Sequence, residues 1–101
     1  MNKNIKKPRH MAVYEAITSV ETVEECIKLF DDLLSIAELR AMEQRYQVAR
    51  MLDNGMVYSA ILEKTGASSA TISRVNRSLQ SGGDGYRTVF ARTEHRDEDS
   101  E

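Results

Sequence analysis

Cysteine, proline and tryptophan are nearly absent from this sequence of 101 residues, which contains one cysteine, one proline and no tryptophan. The single cysteine, Cys26, excludes an internal disulfide framework, and without a second cysteine or a suitably placed histidine it is no metal signature. We therefore expect Cys26 to be a small core residue. The two histidines, His10 and His95, lie in opposite end segments without a paired nucleophile, and we expect both to be solvated.

Long hydrophobic runs are also lacking. No apolar run approaches the roughly 18 residues that a membrane span needs, and the basic N-terminus leads into an amphipathic pattern with Glu15 inside it, unlike a signal peptide. We expect a cytoplasmic protein without a membrane partner. No acid–base pair, activated nucleophile, metal set or phosphate loop is visible, so we expect neither an enzyme nor a bound cofactor.

The net charge of −2 conceals an uneven distribution of charge. Between Glu15 and Glu43, eight acids accompany only Lys28 and Arg40. The first ten residues contain four basic residues, and a second basic region between residues 54 and 92 has two acids against five basic residues, which are Lys64, Arg74, Arg77, Arg87 and Arg92. These two basic regions are compatible with a nucleic-acid partner, although the net charge of the chain is negative.

Apolar residues recur three and four positions apart, which predicts an all-α protein. A first short helix begins near Met11. Capping-box patterns at Thr22–Glu25 and Ser35–Glu38 predict the starts of a second helix, which runs to about Leu34, and of a third. The third helix ends at Gly55 and carries an apolar stripe of Ile36, Leu39, Met42, Tyr46, Ala49 and Leu52.

A fourth helix is predicted from Met56 to Lys64, and a fifth from Ser69 to about Gln80 with Ser68 as its N-cap. The segment SGGDG at 81–85 predicts a strong stop and a flexible joint. Tyr86, Val89 and Phe90 beyond it could form one or two further helical turns. The predicted organisation is a basic arm at 1–10, a helical domain at 11–90 and an acidic disordered tail at 91–101.

The fourth and fifth helices have the spacing of a helix-turn-helix at about 57–80. In this motif two helices cross at a large angle over a turn of about three or four residues, so that the second can enter the major groove of DNA. The motif needs apolar residues that face each other and a glycine in the turn. Residues at the expected intervals meet these needs: Ile61, Gly66, Ile72 and Val75, with Leu79 extending the stripe.

The outward face of the fifth helix consists of small residues and arginines and contains no acid. Small residues allow a helix to approach base edges, and arginines contact phosphates or bases. A helical hairpin with a solvated face is the alternative, but such a face would normally carry Glu and Lys, which form helices better than Ser, Thr and Asn. The candidate DNA-contacting residues are Ser68, Ser69, Ala70, Thr71, Ser73, Arg74 and Arg77.

The segment from Leu33 to Leu79 resembles the Trp repressor superfamily, and within it the Trp-repressor-related group labelled YerC/YecD. The most specific parts are LLS with a following Glu and Arg, and the ATIS-Arg motif at Ala70 to Arg74. The resemblance implies an intertwined all-helical homodimer whose two recognition helices meet successive major grooves of double-stranded DNA. It implies a sequence-specific transcriptional regulator, most simply a repressor.

The resemblance also implies candidate residues for a small effector. In tryptophan-responsive members an indole lies between two arginines, and the corresponding positions here are Arg45 and Arg74. Ser35 and Ser78 occupy two further positions of that site. The glycine that follows the second arginine is replaced by Val75, whose branched side chain would occupy space beside the indole. We therefore expect either no corepressor or a small molecule other than tryptophan.

Simpler roles for the same residues are equally open. Arg45 could pair with Glu38 or Glu43 or lie between subunits, and Arg74 could contact a phosphate. Val75 also fits the ordinary apolar position of a helix-turn-helix. At the level of function, the alternative to a DNA-binding regulator is a dimeric helical adaptor that binds a protein partner through its basic face.

Overall fold

The computed structural model describes residues 8–94, and in this part of the chain it contains six α-helices and no strand. The all-α prediction is confirmed. No helix in this range is both long and apolar enough to cross a membrane. Residues 1–7 of the predicted basic arm and residues 95–101 of the predicted acidic tail, which include His95, lie outside the described residues. The helices are α1 (Met11–Ser19), α2 (Val23–Leu33), α3 (Ile36–Asp53), α4 (Tyr58–Thr65), α5 (Ser69–Gln80) and α6 (Asp84–Arg92).

The last helix starts earlier than the sequence predicts. Only residues 81–83 separate α5 from α6, because Asp84 and Gly85 form the first turn of α6 instead of the predicted joint. Gly83 provides the break, with φ of +72° in the left-handed region that glycine adopts without strain. The start of α4 is a smaller difference, since this helix begins at Tyr58 and not at Met56.

Side-chain caps start α2 and α3 as the sequence predicts. Thr22 accepts a hydrogen bond from the Glu25 amide (3.0 Å), although the Glu25 carboxylate accepts from the Glu21 amide one residue earlier than a standard capping box requires (2.8 Å). The box at α3 is reciprocal, with Ser35 Oγ accepting from the Glu38 amide (3.2 Å) and Glu38 Oε1 accepting from the Ser35 amide (2.8 Å). Donation from the Ser35 backbone, and secondarily from its side chain, lowers the pKa of the Glu38 carboxyl.

The described residues divide into two compact units, an N-terminal unit of residues 8–43 and a C-terminal unit of residues 44–94, and α3 contributes to both. Among residues 8–43 no side chain is fully buried. Several large apolar side chains of α2 and early α3 are more than half exposed, namely Val23 (67%), Ile27 (55%) and Ile36 (74%). Cys26 is only partly buried and lies outside the buried core, so the prediction that it is a core residue is wrong.

Among residues 44–94, the buried side chains form one cluster with members on α3, α4, α5 and α6. The inward stripe predicted for the helix-turn-helix is confirmed, since Ile61 and Ile72 are fully buried and Val75 and Leu79 are each 3% exposed. Val48 and Ala67 also belong to the core, although neither falls on a predicted apolar stripe. The complete cluster is Val48, Ala49, Ile61, Ala67, Ile72, Val75, Leu79 and Phe90.

Two glycines with positive φ end helices in this unit. At the end of α3, Gly55 (φ +84°) donates to Leu52 O (3.0 Å) while Met56 donates to Met51 O (3.0 Å), which is the Schellman pattern and confirms the predicted C-cap. At the end of α4, Gly66 has φ of +73°. A Cβ at Gly55 or Gly66 would meet no heavy atom within 4 Å, so the backbone conformation alone requires glycine there.

We expect Gly66→Ala to lower the free energy of unfolding by about 1 kcal/mol, because alanine is strained at positive φ. Gly85→Ala should instead raise it by about 0.5 kcal/mol, because Gly85 lies in a helix with open space around its Cα. Urea denaturation at one fixed protein concentration measures both changes. A Gly66→Ala variant as stable as the wild type would contradict the left-handed turn.

Candidate nucleic-acid interface

The turn between α4 and α5 is fixed by hydrogen bonds from two side chains. Thr65 Oγ1 donates to Ile61 O one helical turn earlier (2.8 Å) and accepts from the Ala67 amide (3.1 Å). Gln44 Nε2, on α3, donates to Thr65 O (3.2 Å). Because these bonds satisfy polar groups that a helix end leaves without partners, the chain reverses at Gly66 in one defined conformation.

Gln44 and Thr65 contribute to this turn, although neither is among the residues predicted to form it. Thr65 lies in a helix-ending segment, where a hydroxyl that bonds back to the preceding turn is a recognisable local signal. The Gln44 contact crosses 21 positions of sequence, and nothing in the local pattern around Gln44 predicts it. Both residues orient α5 without belonging to its exposed face.

The first turn of α5 is held by a side-chain cap. Ser68 Oγ accepts from the Thr71 amide (3.1 Å), which confirms Ser68 as the N-cap, and Ser68 Oγ also lies 3.1 Å from Thr71 Oγ1 in a hydroxyl–hydroxyl bond. The amides of Ser69 and Ala70 precede the first intrahelical bonds of α5, so they have no helical acceptor. With no acid in the first turn, this end of α5 is suited to an anion.

The two faces of α5 differ sharply in burial. Ile72, Val75 and Leu79 are buried in the core, whereas the predicted DNA-contacting residues occupy the remaining surface. Within that predicted set, Thr71 and Ser73 are partly buried and the others are exposed, namely Ser68, Ser69, Ala70, Arg74 and Arg77. The structure thus presents small residues near the N-terminal end of the helix and two exposed arginines along it.

The predicted effector residues are placed as follows. Ser35 is exposed and its hydroxyl caps α3 through the Glu38 amide. Arg45 is exposed on α3, while Arg74 and Ser78 are exposed on α5 and four residues apart, so they share one helix face. Their role in binding a ligand stays a prediction. Val75 belongs to the buried core, as the ordinary helix-turn-helix interpretation expects.

The N-terminal unit contains an apolar groove between α2 and the first part of α3. Arg40 and Glu43 also line this groove, and they form an ion pair at 3.2 Å with both side chains more than half exposed. Such a pair contributes little stability, because both side chains remain exposed to water. The apolar lining is Val23, Cys26, Ile27, Phe30, Ile36, Leu39 and Met42.

The described residues contain no group of three or more His, Cys, Asp or Glu side chains that could hold a metal ion. His10 is exposed, in agreement with its predicted solvation. The candidate site among residues 8–94 is the exposed face of α5, which carries hydroxyls and arginines and no acid.

Comparison with known proteins agrees with this geometry. The chain is 43% identical over 88 residues to YerC of Bacillus subtilis, a protein of uncharacterised function, with 87% of this chain and 85% of that one covered. A solved structure of a TrpR-like protein from Eubacterium eligens matches with a TM-score of 0.79 and 47% identity, over 82% of this chain and 86% of that one. A structure from Staphylococcus aureus, provisionally named a Trp repressor, matches with a TM-score of 0.79 and 44% identity, over 82% of this chain and 83% of that one.

The match to the family model is also extensive. The model for the Trp repressor protein aligns with residues 9–94, which includes every helix described above. The resemblance drawn from the LLS and ATIS-Arg segments is thereby confirmed and extended well beyond residues 33–79. The chain belongs to the Trp repressor family.

Proposed function

We propose that this protein is a sequence-specific DNA-binding transcriptional regulator that acts as a dimeric repressor. The observation that carries the proposal is the division of α5 into a buried apolar stripe and an exposed face of small hydroxyl residues and arginines without a carboxylate. A carboxylate on that face would repel DNA phosphates, and long side chains near its start would keep the helix away from base edges.

In the proposed complex, α5 enters the major groove with its N-terminal end leading. Ser69 and Ala70 allow close approach, and their amides can donate to a phosphate. Thr71 offers a methyl group and a hydroxyl to base edges, while Arg74 and Arg77 supply cations for phosphates or guanines. Ser68 acts mainly through the cap that it forms, because its hydroxyl is already bonded to the Thr71 amide.

The apolar groove of the N-terminal unit is the surface that we assign to the homodimer. Its lining side chains include Val23, Ile27 and Ile36, which are 55–74% exposed in the single chain. A soluble chain that exposes contiguous apolar side chains gains free energy by covering them with a second copy. A two-fold dimer presents two copies of α5, so we expect a pseudo-palindromic operator with half-sites about one helical turn apart.

Repression follows from occupancy in this proposal, since a dimer on its operator excludes RNA polymerase from overlapping DNA. The substitution of Val75 for the family's glycine supports regulation without tryptophan, either with no corepressor or with another small molecule. We place the protein in the cytoplasm, where its DNA target would lie. An adaptor that binds a protein through the same face is the competing function, and the first test below distinguishes it.

The first test selects bound fragments from genomic DNA with the wild type, Arg74→Ala and Thr71→Ala. We expect an enriched sequence for the wild type and a loss of specific affinity of about tenfold or more for each variant, since a good base contact contributes about 1–3 kcal/mol. Arg92→Ala is the matched control, because Arg92 is an exposed arginine on α6 and its removal changes the charge equally. A folded dimer that enriches no sequence would overturn the regulator and favour the adaptor.

The second test concerns the dimer. Ile27→Asp places a charge in the apolar groove and should raise the dimer dissociation constant by at least about 100-fold, because it removes buried apolar area and adds a charge to be desolvated. Leu62→Asp is the control, since Leu62 is a similarly exposed apolar residue (45%) on α4. Sedimentation velocity over a range of concentrations reports the change. A wild type that is monomeric throughout that range would refute the assignment.

The third test titrates L-tryptophan into the protein in a calorimeter. We expect no micromolar binding, because Val75 fills the position beside which the indole would lie. The control is a parallel titration of operator DNA obtained in the first test, which shows that the same sample is active. Micromolar binding of tryptophan would show that Val75 does not close the site.

A further inference from the structure

A side chain from α6 contacts the end of α5. Arg87 Nη2 donates to Leu79 O in the last turn of α5 (2.8 Å), and Arg87 Nη1 donates to Gly82 O in the linker. One guanidinium therefore joins the final turn of α5 and the segment that leads away from it. No motif in the sequence indicated this contact.

The contact matches what the end of a helix lacks. The last carbonyl groups of an α-helix have no intrahelical donor and form the negative end of the helix dipole. The Ser81 amide serves the carbonyl of Arg77 (3.0 Å), and Arg87 serves that of Leu79. A planar guanidinium with several fixed donors can hold two carbonyls at once, whereas an ammonium group offers only a point charge.

The helix that carries Arg87 is itself anchored to the core. Phe90 on α6 is 4% exposed, and its ring lies edge-on to Tyr46 of α3 with centroids 5.5 Å apart. The guanidinium carbon of Arg50 lies 4.5 Å from the centroid of the same ring, and Tyr86 stacks near it at 5.7 Å. Because α6 is held against α3, Arg87 connects the end of α5 to a fixed support.

Gly83 makes this contact geometrically feasible. A Cβ at Gly83 would lie 2.6 Å from Leu79 O and 2.7 Å from Arg87 Nη1, which is closer than a carbon atom can approach. The glycine is thus required both for its φ of +72° and for the space that the guanidinium occupies. Gly55 has the first requirement without the second, since its surroundings are open.

We propose that Arg87 is a positioning residue for DNA recognition, which holds the C-terminal end of α5 through Leu79 O and Gly82 O without touching DNA. This inference rests on the proposed function, because it assigns to α5 the role of DNA contact. Fixing the helix before binding avoids the cost of ordering its last turn on the operator. Specific affinity therefore depends on an arginine that faces protein carbonyls.

The first experiment measures amide hydrogen exchange in the free full-length protein and needs no DNA. Arg87→Ala and Gly83→Ala should each speed exchange at residues 79–81 by about tenfold, because both remove the cap and let the last turn of α5 open. Arg92→Ala controls for the lost charge, and Gly55→Ala controls for alanine at positive φ. Neither control should change exchange at residues 79–81.

The second experiment measures affinity for the selected operator over a range of salt concentrations. A positioning role predicts that Arg87→Ala loses about fivefold in specific affinity, that Gly83→Ala shows a similar loss with every charge kept, and that the salt slope is unchanged in both. A direct phosphate contact by Arg87 would instead lower the slope by about one in Arg87→Ala. That result would overturn the proposal.

The two experiments separate the inference from the function on which it rests. Unchanged exchange at residues 79–81 in both Arg87→Ala and Gly83→Ala would overturn the role of Arg87 and leave DNA binding intact. Faster exchange in both variants, combined with a wild type that binds no DNA sequence specifically, would overturn the proposed function while the cap itself stands. Faster exchange together with unchanged operator affinity would show that the cap stabilises α5 without positioning it for DNA.

Discussion

Burial of one narrow stripe of α5 is the constraint on which the C-terminal unit depends. This helix is rich in serine, threonine and asparagine, which are weaker helix formers than alanine or leucine by up to about 0.7 kcal/mol per residue. Burying Ile72, Val75 and Leu79 contributes on the order of 1.5–3 kcal/mol for each side chain and offsets that weakness. The stripe belongs to a buried cluster to which α3, α4 and α6 also contribute, so the position of α5 depends on the packing of that shared core.

Local signals explain how much of this arrangement could be predicted from the sequence. Capping residues such as Ser35 and Ser68, and the glycines at 55 and 66, act within a few positions of themselves, and each was identified correctly. The inward stripe of α5 is predictable because its apolar residues are spaced three and four positions apart. The identification of Gly85 as part of a joint failed because a glycine in a helix interior resembles a stop when no tertiary contact is known.

The remaining features depend on contacts that are distant in sequence. Gln44 donates a hydrogen bond to Thr65, which lies 21 positions later in the sequence. Arg87 on α6 donates to Leu79 on α5, which lies eight positions earlier. Cys26 was misassigned for a related reason. The apolar period of α2 predicts burial, but in the single chain that side lines an open groove, because periodicity shows which side is apolar and not what covers it. The candidate contact residues on α5 were predictable as a face, whereas the contacts that hold this face in place were not.

The separation between the two faces of α5 also has an evolutionary consequence. Because Ile72, Val75 and Leu79 hold the helix without help from the exposed residues, substitutions at positions such as Ser69 or Ala70 leave the buried contacts unchanged. Surface changes of this kind usually alter stability by no more than about 0.5 kcal/mol. Descendants of one gene could therefore diverge in what α5 recognises through single substitutions, each passing through a fully folded intermediate.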